Sequence, residues 1–273
     1  MSQTNSSNPS NPSLTPTLTA FQTIIRRIRE GAHINVIRAL IARNPDVIHQ
    51  FTSDKYTLLD VAICFRDDLF IQDLIKTYNL PLTFPSHVKH NPYIFHAYEH
   101  KKYDVLGMLL NMGADPNEKD VDGIPLLITV ATEGNLEALN ILLKRDVDIN
   151  ITDIDSCNAA VYAVGNHKMD VLNMLIERGI NINHQSNDGA TPLMHAALMN
   201  SFGCLKILVQ NGAKLNVKDN DGLTAINYAE LGMKNNTKPS RMCLDFLIEH
   251  GAQKYIEYDD IKKHTTIILS ETK

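Results

Sequence analysis

Along most of the chain, apolar residues recur with a helical rather than an alternating period. The run "LEALNILLK" (136–144) places Leu136, Leu139, Ile141, Leu142 and Leu143 largely on one side of a helix. A shorter apolar segment rich in small residues precedes such runs, as Ala196 and Ala197 do in "DGATPLMHAA" (188–197). Breaks at "EGN" (133–135) and "GNH" (165–167) separate the short helix from the long one. "RGININ" (178–183) and "NGAKLN" (211–216) follow the long helix, with a Gly just past its end and then an extended stretch. An Asp-Gly turn opens the unit because Gly tolerates positive φ, and Pro192 fits a first helical turn, where its missing N–H costs little. The predicted unit is a turn, a short helix, a longer helix and a hairpin-like exit.

This unit repeats. Asp-Gly at 122, 188 and 221, with Asp155-Ser156 between, recurs every 33 residues. Asn117, Asn150, Asn183 and Asn216 keep the same interval, as do Gly113, Asp146 (in place of Gly), Gly179 and Gly212. Three independent markers over four copies establish a repeat architecture. Weaker copies extend it toward the N-terminus: residues 89–117, "DKYTLLDVAI" (54–63) and a helix pair over 21–48. The last copy carries "KNNTKPS" (234–240) between its helices, so Gly212 and Gly251 are 39 residues apart.

The segments "DGATPLMHAALMNSFGCLKILVQNGAKLN" and "DGIPLLITVATEGNLEALNILLKRDVDIN" resemble ankyrin repeats, whose first helix opens G-x-T-P-L-H-x-A-A. The clearest copies are 122–154 and 188–220. The resemblance implies an all-α solenoid of about seven stacked helix-turn-helix units over residues 20–255, joined by β-turn or hairpin loops. A Ser/Asn/Pro-rich tail over 1–19 is expected to be disordered, and 256–273 to be an extension that caps the last repeat. Departures from the family pattern are Met194 for the usual His, with His195 one position later, and Ser156, Asn158 and Ala159 for the usual Gly, Thr and Pro. They put local hydrogen bonds in question rather than the fold.

Composition narrows the function classes. The net charge of −5 gives no basic footprint for nucleic acid. No apolar run reaches the roughly 18 residues of a membrane span, and no secretory signal opens the chain. Four scattered cysteines (Cys64, Cys157, Cys204, Cys243) fit reduced thiols in a cytosol and packing roles better than a disulfide framework. A cytoplasmic monomer that binds neither nucleic acid nor membrane is expected. His87, His90, His96 and His100 form the densest histidine cluster, and a turn-and-helix patch explains them better than zinc. There is no phosphate loop and no catalytic signature. No catalytic residue, cofactor or metal is expected, and an enzyme site in the irregular segments is the least favoured alternative.

What remains is surface. By resemblance, partners meet the turn tips and the exposed part of the first helices, the concave face of the array. Ile124, Ile154, Cys157, Leu198, Met199, Leu223 and Leu231 are apolar at positions the pattern leaves variable. Exposed, they form an interaction patch; buried, they pack against neighbouring turns. Asp155, Asp188 and Asp221 stand at the tips within a run of hairpin acids diluted by Lys119 and Lys218, although turn-making explains most such aspartates. Glu133 and Asn166 follow the first helices. A ladder of His96, Thr129, Tyr162, His195 and Tyr228 keeps the repeat spacing, either as inter-repeat packing or as a contact stripe.

The expected function is therefore a non-enzymatic protein–protein interaction module, whether scaffold, adaptor or inhibitor. Its partner would carry a basic and hydrophobic segment. An alternative is a substrate of an asparaginyl hydroxylase, since the surroundings of Asn150, and less closely Asn183, resemble its hairpin sites, or an adaptor that presents a target to a modifying enzyme. In its polar N-terminus and its Asn- and Ile-rich composition the chain is also similar to ankyrin effectors that intracellular bacteria deliver into a host cytosol.

Overall fold

A computed structural model describes residues 19–52, 56–83, 91–235 and 241–254. These hold fourteen α-helices, one 3-10 helix and no strand beyond the isolated bridges Lys119–Pro125 and Thr152–Asn158. The predicted tail at 1–19 lies outside the described residues except for Thr19, and 256–273 lies wholly outside them. Of the 234–240 insertion, only the first two residues are described, as the end of a helix. The chain divides into two compact units, Met1–Leu80 and Pro81–Lys273.

The first unit contains α1 (Ala20–Arg29), α2 (Ile34–Arg43), the 3-10 turn Pro45–His49, α3 (Leu58–Phe65) and α4 (Asp68–Tyr78). Capping boxes start α1 and α3: Thr19 accepts from Gln22 N at 3.2 Å, and Thr57 accepts from Asp60 N at 3.2 Å, with each partner side chain reaching back. Ile24, Ile28, Ile37, Ile41, Ile63 and Ile71 fill the interior. An Arg38–Asp73 ion pair ties α2 to α4.

The second unit contains α5 (Tyr93–Glu99), α6 (Tyr103–Asn111), α7 (Leu126–Glu133), α8 (Leu136–Leu142), α9 (Ala159–Gly165), α10 (Met169–Glu177), α11 (Pro192–Leu198), α12 (Phe202–Gln210), α13 (Ala225–Asn235) and α14 (Met242–Glu249). Odd-numbered helices stack on odd and even on even, so each repeat buries its apolar side against its neighbours. The first helices approach through a column of small buried residues, Ala97, Val130, Ala163, Ala196 and Ala229.

The repeated asparagines stitch successive hairpins. Each side-chain oxygen accepts a backbone N–H from the next repeat at 2.7 Å: Asn117 from Asp148, Asn150 from Asn181, Asn183 from Lys214 and Asn216 from Gln253. Local departures from the repeat are repaired locally. Ser156 takes φ +59° in the turn, and Asn158 caps α9 by accepting from Ala160 N at 3.2 Å while donating to Asn181 O at 3.1 Å. Asp146 replaces a Gly that elsewhere ends the second helix in the left-handed region, and α8 stops two residues short of its counterparts. The Leu143 carbonyl there accepts from the Arg178 guanidinium of the next repeat. In "GNH" the left-handed residue is His167, at φ +57°, whereas Gly165 still belongs to α9.

Candidate protein-binding surface

The turn tips are built by aspartate. Asp120 Oδ1 accepts from Asp122 N (3.0 Å) and Ile124 N (2.8 Å). Asp153 does the same for Asp155 N (2.9 Å) and Cys157 N (2.8 Å), and Asp219 for Asp221 N (3.0 Å) and Leu223 N (2.7 Å). The second oxygens of Asp153 and Asp219 accept the hydroxyls of Tyr162 and Tyr228. These acids thus serve the turn, while Asp122, Asp155, Asp188 and Asp221 are exposed beside them. Neighbouring tips touch closely: Asn187 N donates to Asp155 O (2.9 Å) and Asn220 N to Asp188 O (3.0 Å). Gly189, at φ +84°, permits the second contact, because a Cβ there would lie 2.8 Å from Asn220 N.

In the copy that begins at 188, Ser186 replaces the turn aspartate and donates to Asp188 instead. His195, in register with Tyr162 and Tyr228, therefore lacks an acid in that position, and its Nε2 is buried without a hydrogen-bond partner. Burial holds the imidazole below its ordinary pKa despite Asp188 nearby, so it is neutral at pH 7.

The predicted contact residues divide into three groups. Ile154 (71% exposed), Met199 (48% exposed), Asp155, Asp188, Asp221, Glu133 and Asn166 face solvent, and Val121 at the first tip is exposed with them. Ile124, Cys157, Tyr162, His195 and Leu198 are half-buried. Leu223 (1% exposed), Tyr228 (5%) and Leu231 (8%) are interior, which corrects their expected place on the surface. The position after the turn is fully covered in the last two copies, at Ala190 and Leu223, and half-covered at Ile124 and Cys157 in the two before them. Leu231 is covered because α13 presses against α11, the most extensive contact between first helices. Gly232 allows that approach, since a Cβ there would lie 2.3 Å from Leu198 O. Asn150 is exposed and Asn183 half-buried, with both amide oxygens held in the hairpin ladder.

The first seam of the unit is open. α5 and α7 meet far less than the later pairs of first helices, and a groove of about 340 Å³ lies between them. Its cause is Tyr98, which occupies the column held by Ala131, Val164 and Ala197 in the next three repeats. The Tyr98 hydroxyl donates to Glu133 Oε2 at 2.5 Å, and burial raises its pKa, so the phenol stays protonated. Tyr103 stands beside it, ring centroids 6.2 Å apart and planes at 37°, fixed by a 2.5 Å hydrogen bond from Asn135. Of the groove lining, the sequence pattern marks Glu133, the ladder residue Thr129 and Asp120, one of the run of hairpin acids. A bulky ring in a column of small residues was the signal that would have found the rest.

Burial, followed by the Asp153 charge, pushes the Cys157 thiol up to about 12, burial alone lifts Cys243 to about 11, and Cys204 is raised as well. Activated thiols are shifted the other way. Of the histidine cluster, His96 is buried with Nδ1 3.9 Å from Glu99, and His100 is exposed, while His87 and His90 lie outside the described residues. Among the described residues no three His, Cys, Asp or Glu side chains are grouped to hold a metal ion, and no helix is long and apolar enough to cross a membrane.

Comparison with curated proteins finds no match. The family model for ankyrin repeats (3 copies) matches residues 93–186 and 162–258, more than half of the chain and the whole run of helices from α5 to α14. Its all-helical pairs, left-handed helix ends and stitched hairpins accord with that match, and the chain belongs to the ankyrin-repeat family.

Proposed function

We propose that the chain is a non-enzymatic interaction module that takes a protein partner on the face made by its turn tips and first helices. The observation that carries this reading is the coincidence of exposed apolar and acidic side chains on that face. Ile154 and Met199 stand out to solvent, with Val121 at the neighbouring tip, beside exposed Asp122, Asp155, Asp188 and Asp221. Apolar side chains exposed among carboxylates suit a partner segment that is basic and hydrophobic. Scaffold, adaptor and inhibitor, including one acting inside a host cell, are forms of this same contact.

The test is capture of a partner by the full chain, repeated with Ile154→Glu and Met199→Glu. Both positions are exposed, so thermal stability should stay within about 0.5 kcal/mol of the parent while capture falls. A partner held equally well by both variants would place the contact elsewhere. The exposed side chain of Asn150 keeps hydroxylation as a second reading, although its amide oxygen is held in the hairpin ladder. Intact mass after exposure to an asparaginyl hydroxylase decides it, a gain of one oxygen being the expected result under that reading.

A further inference from the structure

The open seam between α5 and α7 differs chemically from the rest of the face. Its aromatic wall is Tyr98 and Tyr103, set at an angle and each fixed through its hydroxyl. Carboxylates bound it on both sides: Glu99 at the end of α5, Glu133 at the end of α7, and Asp120 at the turn. Lys101 contributes the one opposing charge in the lining. Tyr98 engages one oxygen of Glu133 as a donor, so it orients the carboxylate and leaves its charge intact.

We propose that this groove is the seat for one arginine side chain from an extended segment of the partner. The inference rests on the binding-face reading and names the residue class that the face selects. Its volume, about 340 Å³, is at the low end for a ligand site and fits a side chain rather than a folded element. A planar guanidinium stacks on a tyrosine ring and presents its N–H fork to carboxylates in the same plane, whereas an ammonium acts as a point charge. The other seams cannot do this. Small residues hold α7, α9 and α11 together, and Gly232 brings α13 onto the α11 backbone.

The probe is a blocked five-residue peptide with one central arginine among glycines, titrated into the isotopically labelled full chain. Its counterparts carry citrulline or lysine in place of arginine. The arginine peptide should shift the resonances of Tyr98, Thr129 and Glu133. Glu99→Gln combined with Glu133→Gln should weaken it about fivefold or more, as expected for two lost charge contacts. Glu137→Gln, exposed at the start of α8, should leave it unchanged. Equal binding of citrulline, or an unaltered affinity in the double variant, overturns the site. An equal response to lysine overturns the assignment to arginine. Ile154→Glu and Met199→Glu should not alter this titration, so failure of the wider face and failure of the groove are read separately.

Discussion

The two ends of the ankyrin array solve the same packing problem in opposite ways. Between α11 and α13 the register position held by Glu133 in α7 is Gly232, and the backbones close until only a hydrogen atom fits. Between α5 and α7, a position that is Ala131, Val164 or Ala197 elsewhere is Tyr98, and the seam opens into a groove. Side-chain size at one or two columns thus decides whether a seam is core or contact surface. The difference also explains why Leu231 and Tyr228 are interior while Glu133 remains in solvent.

The comparison breaks most sharply at Gly232. Gly232→Ala should cost about 2 kcal/mol in urea unfolding, since its Cβ meets backbone that must move. A loss below about 0.5 kcal/mol would mean that the seam is looser than described. Asn150→Ala, between the two ends, should cost about 1 kcal/mol by leaving the Asn181 N–H without its acceptor. Tyr98→Phe keeps the ring that props the seam apart and removes the bond to Glu133. About 1 kcal/mol or slightly less is expected in the same experiment. Glu133→Ala, at the register of Gly232, removes the same hydrogen bond from its acceptor side and should also cost about 1 kcal/mol, so one column gives a backbone clash at one end and only a lost side-chain bond at the other.

Two groups sharpen the picture through pH. Burial, with a contribution from Asp115, pushes Glu118 up to about 7, and its Oε2 has no hydrogen-bond partner. Its folded pKa exceeds the unfolded value of 4.5, so the folded form binds the extra proton between these values. Stability from this group should rise as pH falls from about 7 toward 4.5, and Glu118→Gln should abolish that rise in thermal melts at graded pH. His195 has the opposite sign. Its folded pKa is depressed, so stability falls as pH drops below the unfolded value of 6.5. His195→Phe should remove that loss.

Much of the fold was legible because the repeat markers do physical work at every copy. The spaced asparagines are inter-repeat acceptors, and the spaced glycines at 113, 179 and 212 end helices in the left-handed region, so each marker is tied to a bond or a backbone conformation. The site was less legible. Periodicity identifies the positions that are held constant, whereas exposure at variable positions depends on how closely two particular helices approach. Leu223 and Leu231 looked available in the sequence, yet the inward turn position and Gly232 bury them. Ile154 and Met199 occupy equally variable positions and stay outside. Tyr98 is legible only as a violation of the pattern, a bulky ring where later repeats carry Ala131, Val164 and Ala197, and periodicity marks the residues that keep the pattern.

The asparagine stitches also give the array a direction in time. In each, the acceptor precedes its donor along the chain, so a ribosome always completes the receiving half of a bond before the giving half emerges. A growing array presents one waiting acceptor at its newest edge, whichever repeat that edge belongs to. Whole repeats can therefore be added or lost without leaving mismatched ends. Extra length is tolerated where no stitch is disturbed, as when the Asn216–Gln253 spacing grows to 37 residues from the 31 of its predecessors and the 2.7 Å bond is kept.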